Sequence, residues 1–135
     1  MRRLLADTGP LVAWFNRRDA HHARARDFFG RYGGVLMSTW LVVTEVCHLV
    51  PPHVAVRFMH WAAGGGLRLV DVPDERKGEI AALMERHADH PMDNADATLV
   101  WLAGESAIFD VATVDEADFS AYRTASGKRL RNRFL

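Results

Sequence analysis

The chain has 135 residues, of which 49% are hydrophobic and 25% charged, a composition that predicts one globular domain with a proper core and excludes a disordered segment. Seventeen basic residues balance seventeen acidic ones, so net charge gives no global argument for a nucleic-acid partner and the local distribution must decide. The single cysteine, Cys47, lies in the apolar run 41–50, which excludes a disulfide framework and a zinc knuckle, and no run reaches the length of a membrane span. Met-Arg-Arg is followed by too few apolar residues for a signal peptide, so a cytoplasmic protein without membrane contact is expected.

In chain order, Leu4 to Ala6 reads as a buried strand, too short for a helix and closed by Asp7-Thr8-Gly9-Pro10. Pro10 is placed to open a helix through Phe15. Asp7 therefore stands at a strand-to-helix corner, where open parallel sheets bind ligands. Asp19 to Tyr32 reads as a helix with Ala23, Phe28 and Phe29 inward and Gly33-Gly34 as its stop. Val35 to Met37 is a short strand. Ser38 or Thr39 then caps a helix whose Leu41, Val42, Val46 and Leu49 form an apolar face with Glu45 inside it. An unpaired carboxylate there would be costly to bury.

Pro51-Pro52 ends that helix, and Val54 to Ala63 forms the next, stopped by Gly64-Gly65-Gly66. Because a strand rather than a helix follows this glycine run, it is a connector and not a phosphate cradle. Leu67 to Val72 is that strand. Asp74 to His87 is helical with Ile80, Leu83 and Met84 inward, and 93–103 is a helix stopped by Gly104, with Asp93 and Asp96 on the side that carries Val100 and Ala103. Phe109 to Val114 is the last strand and ends in Asp115, with Asp118-Phe119 beyond. Strands that alternate with helices predict an α/β fold: a single domain over 1–135 with a central parallel sheet and helices on both faces.

Arginines crowd the first 31 residues and basic residues the end, whereas acids dominate from Asp71 to Asp118. Asp7 and Asp115 end strands, and Glu45 and Asp96 sit on the apolar sides of helices. Four such acids repel one another unless something positive sits among them. A divalent cation is the economical answer. All-oxygen ligands select magnesium or manganese over zinc, and two such ions, roughly 4 Å apart, can activate a water and steady the leaving oxygen in phosphodiester cleavage.

Asp7-Thr8, Thr44-Glu45-Val46, Ala95-Asp96-Ala97 and 113–119 resemble, in order and spacing, the four acidic motifs of the PIN-domain ribonucleases, over essentially the whole chain. The single-domain size and the run 118–123 are most similar to the VapC-type toxins of bacterial toxin–antitoxin pairs. The resemblance implies a PIN-like fold, a Mg2+- or Mn2+-dependent endoribonuclease acting on RNA, a homodimer, and a cognate antitoxin. Asp7, Glu45, Asp96 and Asp115 match the family's catalytic, metal-binding acids, and Asp93 and Asp118 its auxiliary ones. Thr8, Ser38 and Thr113 are placed to orient carboxylates or bind a water. One departure is Glu116-Ala117, where such toxins often carry basic residues, and it removes positive charge near the expected RNA path.

Other chemistries fit less well. His87 and His90 lack a third zinc ligand, there is no Gly-x-Ser-x-Gly elbow for a serine hydrolase, and Asp7-Thr8-Gly9 lacks the second aspartate of a haloacid dehalogenase phosphatase. Trp40, Trp61 and Trp101 are expected in the core or a dimer interface. Trp14 and Phe15, beside Asn16-Arg17-Arg18, are the candidates for a partner surface, and the basic tail 128–133 for RNA phosphates. Two further readings stand beside the toxin: an RNA-processing nuclease without an antitoxin, and a silent PIN-like module that binds RNA or protein. Intact acids at all four positions weigh against the silent one.

Overall fold

The computed structural model describes residues 2–135. The first strand, β1 (Arg3–Ala6), occupies the middle of a five-stranded, wholly parallel sheet of order β3-β2-β1-β4-β5. Its Leu4, Leu5 and Ala6 are almost completely buried, as a central parallel strand covered by helices on both faces requires. β2 (Val35–Ser38) and β4 (Asp110–Ala112) flank it, with Leu5 opposite both Met37 and Val111. β3 (Arg68–Leu69) and β5 (Arg131–Asn132) are short edges.

Among the described residues seven α-helices surround the sheet: α1 (Thr8–Phe15), α2 (His22–Arg31), α3 (Trp40–Leu49), α4 (Pro52–Trp61), α5 (Lys77–Arg86), α6 (Asn94–Ser106) and α7 (Glu116–Ala121). α6 supplies the deepest layer, with seven residues from Ala97 to Ala103 all buried. Among the described residues no helix is long and apolar enough to cross a membrane. The strand order reverses between β1 and β4, so the crevice beyond their carboxyl ends is the place where such sheets take ligands.

Several expectations are corrected. The first helix starts at Thr8, two residues before Pro10, whose missing N–H costs nothing within the first turn. α2 begins at His22 because Asp19 is spent on a turn, accepting the His21 N–H at 2.8 Å. Ala23 is exposed, and Ala25 and Phe29 face inward. On α3 the buried residues are Val42, Val43 and Val46, while Leu41 and Leu49 are 37% and 59% exposed. Glu45 therefore borders the buried stripe rather than sitting within it. Met84 also faces out.

Gly104 does not stop α6. The helix runs to Ser106 and is ended by Ala107, which adopts the left-handed conformation at φ 54°. The strands at 67–72 and 109–114 shrink to two and three residues. The basic tail joins the sheet while its basic side chains stay exposed: it supplies β5, Leu130 and Phe134 are buried, and Arg131 and Arg133 pair with Asp110 at 3.1 and 3.2 Å.

Candidate active site

The crevice is built from the strand ends. At the close of β1 the Asp7 N–H still donates to Ala112 O of β4 at 3.0 Å, which carries the pairing one residue beyond the strand and sets Asp7 beside the 113–115 turn. Gly9 permits the approach: a Cβ there would lie 2.3 Å from a Val114 methyl carbon. Asp7 is 3% exposed. Its Oδ2 accepts from the Thr113 hydroxyl at 2.7 Å, and the same hydroxyl accepts the Asp115 N–H at 2.9 Å. Burial pushes the Asp7 carboxyl up to about 6; the hydrogen bonds from Thr113 and the Thr8 backbone oppose this, and the charges of Asp115 and Glu45 add to it.

Asp96 enters from the first turn of α6. Its N–H donates to Asp93 Oδ1 at 2.8 Å, so Asp93 is the helix cap, and its own Oδ2 accepts from the Tyr122 hydroxyl at 2.8 Å. Burial pushes this half-buried carboxyl up to about 7, helped next by Asp7, opposed by Tyr122, and raised further by Asp93 and Asp115. Asp115 stands just before α7 at the exposed mouth, yet the protein around it, then Asp118 and Asp93, still raises its carboxyl above the ordinary value. Glu45 is half-buried and accepts from the Thr8 hydroxyl at 2.7 Å.

The structure thus brings Asp7, Glu45, Asp96 and Asp115 within one electrostatic field. Asp93 is exposed at the start of α6, not turned toward the apolar side. Asp118 is paired with His90 Nε2 at 2.8 Å. Thr8 and Thr113 orient carboxylates as expected from the sequence, whereas the Ser38 hydroxyl is turned to the Ala6 carbonyl at 2.7 Å. His87 is committed elsewhere: its Nε2 accepts the Arg123 N–H, which leaves the proton on Nδ1 for Leu83 O. Tyr122 is the residue sequence reasoning passed over. Its signal was its place in the run 118–123, four residues after Asp118 and just beyond the end of α7.

Among the described residues no arginine or lysine pairs with Asp7, Glu45, Asp96 or Asp115, and no three His, Cys, Asp or Glu side chains are gathered closely enough to hold an ion as they stand. The donor set nonetheless suits a small hard cation. It is all oxygen, burial and neighbouring acids raise the carboxyls of Asp7, Asp96 and Asp115, and magnesium takes only one or two carboxylates directly and completes its shell with water.

Over 131 residues the chain is 27% identical to ribonuclease VapC26 of Mycobacterium tuberculosis, spanning 94% of this chain and 97% of that protein. The crystal structure of Mycobacterium tuberculosis VapC20, a sarcin–ricin loop cleaving toxin, superposes with a TM-score of 0.78 at 19% identity, over 88% of this chain and 95% of that one. The chain has the VapC-type PIN fold. No protein-family model matches it. The resemblance to VapC-type ribonucleases read from the four acidic motifs is borne out in sequence and in fold.

A second feature lies away from the acids. Trp14, Phe15, Arg17, Arg26, Arg57 and Trp61 line a groove of about 670 Å³. Trp14 stacks on Phe29 and meets Trp61 edge-on, so these rings are partly spent on the core. Trp101 is buried as expected, but Trp40 is 46% exposed.

Proposed function

We propose that this protein is a Mg2+- or Mn2+-dependent endoribonuclease, the toxin of a toxin–antitoxin pair, with Asp7, Glu45, Asp96 and Asp115 as its metal-binding catalytic acids and Asp93 and Asp118 in support. The observation that carries the reading is the crowding of Asp7 and Asp96, two carboxyls that burial and neighbouring acids push up to about 6 and about 7, with no arginine or lysine paired to either among the described residues. Such crowding is unfavourable unless a cation relieves it. The similarity to VapC26 and VapC20 supports RNA as the substrate.

A bound divalent ion would supply Lewis-acid activation of a water and of the scissile phosphate. The chain's own part is to position and to insulate. Thr113 holds Asp7, Thr8 holds Glu45 and Tyr122 holds Asp96, each through a hydroxyl donated to one carboxylate oxygen. The buried floor around Asp7 keeps bulk water from screening the acids, and Asp115 at the mouth meets the entering phosphodiester's surroundings first.

A homodimer and an antitoxin complete the reading. Trp40, Leu41, Leu49 and Val56, on the neighbouring helices α3 and α4, are exposed apolar residues of the kind an interface covers. The antitoxin would act by placing an arginine or lysine among the acids, replacing the cation's charge. The deciding experiment is RNA cleavage by the parent and by Asp96→Asn, with and without Mn2+. Loss of cleavage on chelation and in the variant is expected, and metal-independent cleavage by both would overturn the proposal.

A further inference from the structure

Three hydroxyls touch the acids, and they differ in origin. Thr113 and Thr8 sit at the turns beyond β4 and β1 and reach acids on other elements, Asp7 and Glu45. Tyr122 comes from elsewhere, at the far end of α7, and its hydroxyl reaches Asp96 on α6.

We infer that Tyr122 is a positioning residue that confines Asp96 to one free oxygen and so favours Mg2+ and Mn2+ over Ca2+ at this site. The inference rests on the metal reading above. Tyr122 is 1% exposed, and its ring is packed edge-on by Phe119, His87 and His90 at centroid distances of 5.1, 5.7 and 6.0 Å. Its backbone is equally fixed. The Tyr122 N–H donates to Asp118 O at 3.2 Å, and the next N–H, that of Arg123, donates to His87 Nε2 at 3.1 Å, which ties the end of α7 to α5. Asp96 is fixed from its own side by the Asp93 cap. Two rigid partners therefore meet through a single 2.8 Å hydrogen bond on Oδ2, while Oδ1 accepts no hydrogen bond among the described residues.

The selectivity follows from ligand geometry. Magnesium and manganese accept one oxygen per carboxylate and keep their waters, whereas calcium takes six to eight oxygens and commonly both from one carboxylate. A carboxylate with one oxygen already occupied by a rigid donor suits the first pattern and resists the second. Partners behind a metal ligand of this kind typically change affinity about 10- to 100-fold when removed.

The test is a metal titration of the parent, Tyr122→Phe, Asp96→Asn and the double variant, read by calorimetry and by the thermal midpoint. Tyr122→Phe keeps the ring and its packing. It should weaken Mn2+ and Mg2+ binding about 10-fold and narrow their advantage over Ca2+. In the Asp96→Asn background the same substitution should change metal binding no further, because the hydroxyl acts only through Asp96. Unchanged metal constants in Tyr122→Phe would overturn the inference, as would an equal loss in both backgrounds, which marks a merely structural ring. A parent without any metal-dependent shift would overturn the metal reading itself, and this inference with it. Far-UV circular dichroism of each variant separates a folding failure from a binding effect, and an unfolded Tyr122→Phe would assign the hydroxyl to stability instead.

Discussion

Asp7 and Thr113 lie 106 positions apart and share a 2.7 Å hydrogen bond in the floor of the crevice. Thr113 is completely buried, and its hydroxyl both donates to Asp7 and accepts from the Asp115 backbone. Thr113→Val keeps the shape and removes both roles. Leaving a buried carboxylate and a backbone N–H unsatisfied should cost about 1–3 kcal/mol, and RNA cleavage should fall with it. Thr113→Ser should restore most of both. A Thr113→Val protein with parental thermal midpoint and rate would show that the bond does not matter.

Stability should depend on pH in a direction opposite to that of a salt-bridged acid. Asp7 and Asp96 have folded values of about 6 and about 7 against an ordinary 3.8. Their neutral forms favour the folded state, so their contribution is fully present below about pH 4 and is lost as pH rises through 6 and 7. Glu79 and Glu105, lowered by their bonds to Arg76, act the other way, but only below their ordinary value of 4.5. Without metal, the thermal midpoint should therefore fall between about pH 5 and pH 7.5, and Mn2+ should recover it at the upper end. A metal-free midpoint that climbs across that window would contradict the crowded-acid account.

Asp96→Asn removes a charge while keeping size. Cleavage should drop by orders of magnitude, as when electrostatic stabilisation of a transition state is lost. The metal-free variant should be at least as stable as the parent near pH 7.5, since one member of a repelling group is gone. The opposite pattern, a destabilised variant that still cuts RNA at near-parental rate, would show that Asp96 is only a structural acceptor.

How much of this was legible in the sequence depends on the kind of signal. Alternating apolar runs and turn residues are local properties, and they carried the parallel α/β order of strands and helices. What failed was decided by tertiary contact. Leu41, Leu49 and Met84 match an apolar helical stripe, but α3 packs against α1, α4 and α6 and α5 against α6, and the residues buried there are Val42, Val46 and Leu83. β5 is two residues among arginines, visible only through its pairing with β4. Tyr122 lies in the run 118–123, one turn after Asp118, yet nothing local separates a hydroxyl aimed at Asp96 from a core aromatic.

The end of α6 offers a stability test independent of function. Ala107 is exposed and holds φ 54° with its N–H bonded to Ala103 O. A left-handed alanine is strained where glycine is not, so Ala107→Gly should stabilise the protein by roughly 0.5–1 kcal/mol. A lowered denaturation midpoint would mean that the added freedom of the unfolded chain outweighs the relieved strain.

The strand order places residue 7 and residue 113 side by side, and this governs when the crevice can exist as well as where. During synthesis β1 emerges first and must wait for nearly the whole chain before β4 arrives to pair with it. A nascent chain or a proteolytic fragment that stops short of Ala112 holds Asp7 and Glu45 without the strand, the Thr113 hydroxyl or the Tyr122 ring that assemble them. On the ribonuclease reading proposed above, such an incomplete copy should not cleave RNA, and activity should arise only once residues 112–135 have docked.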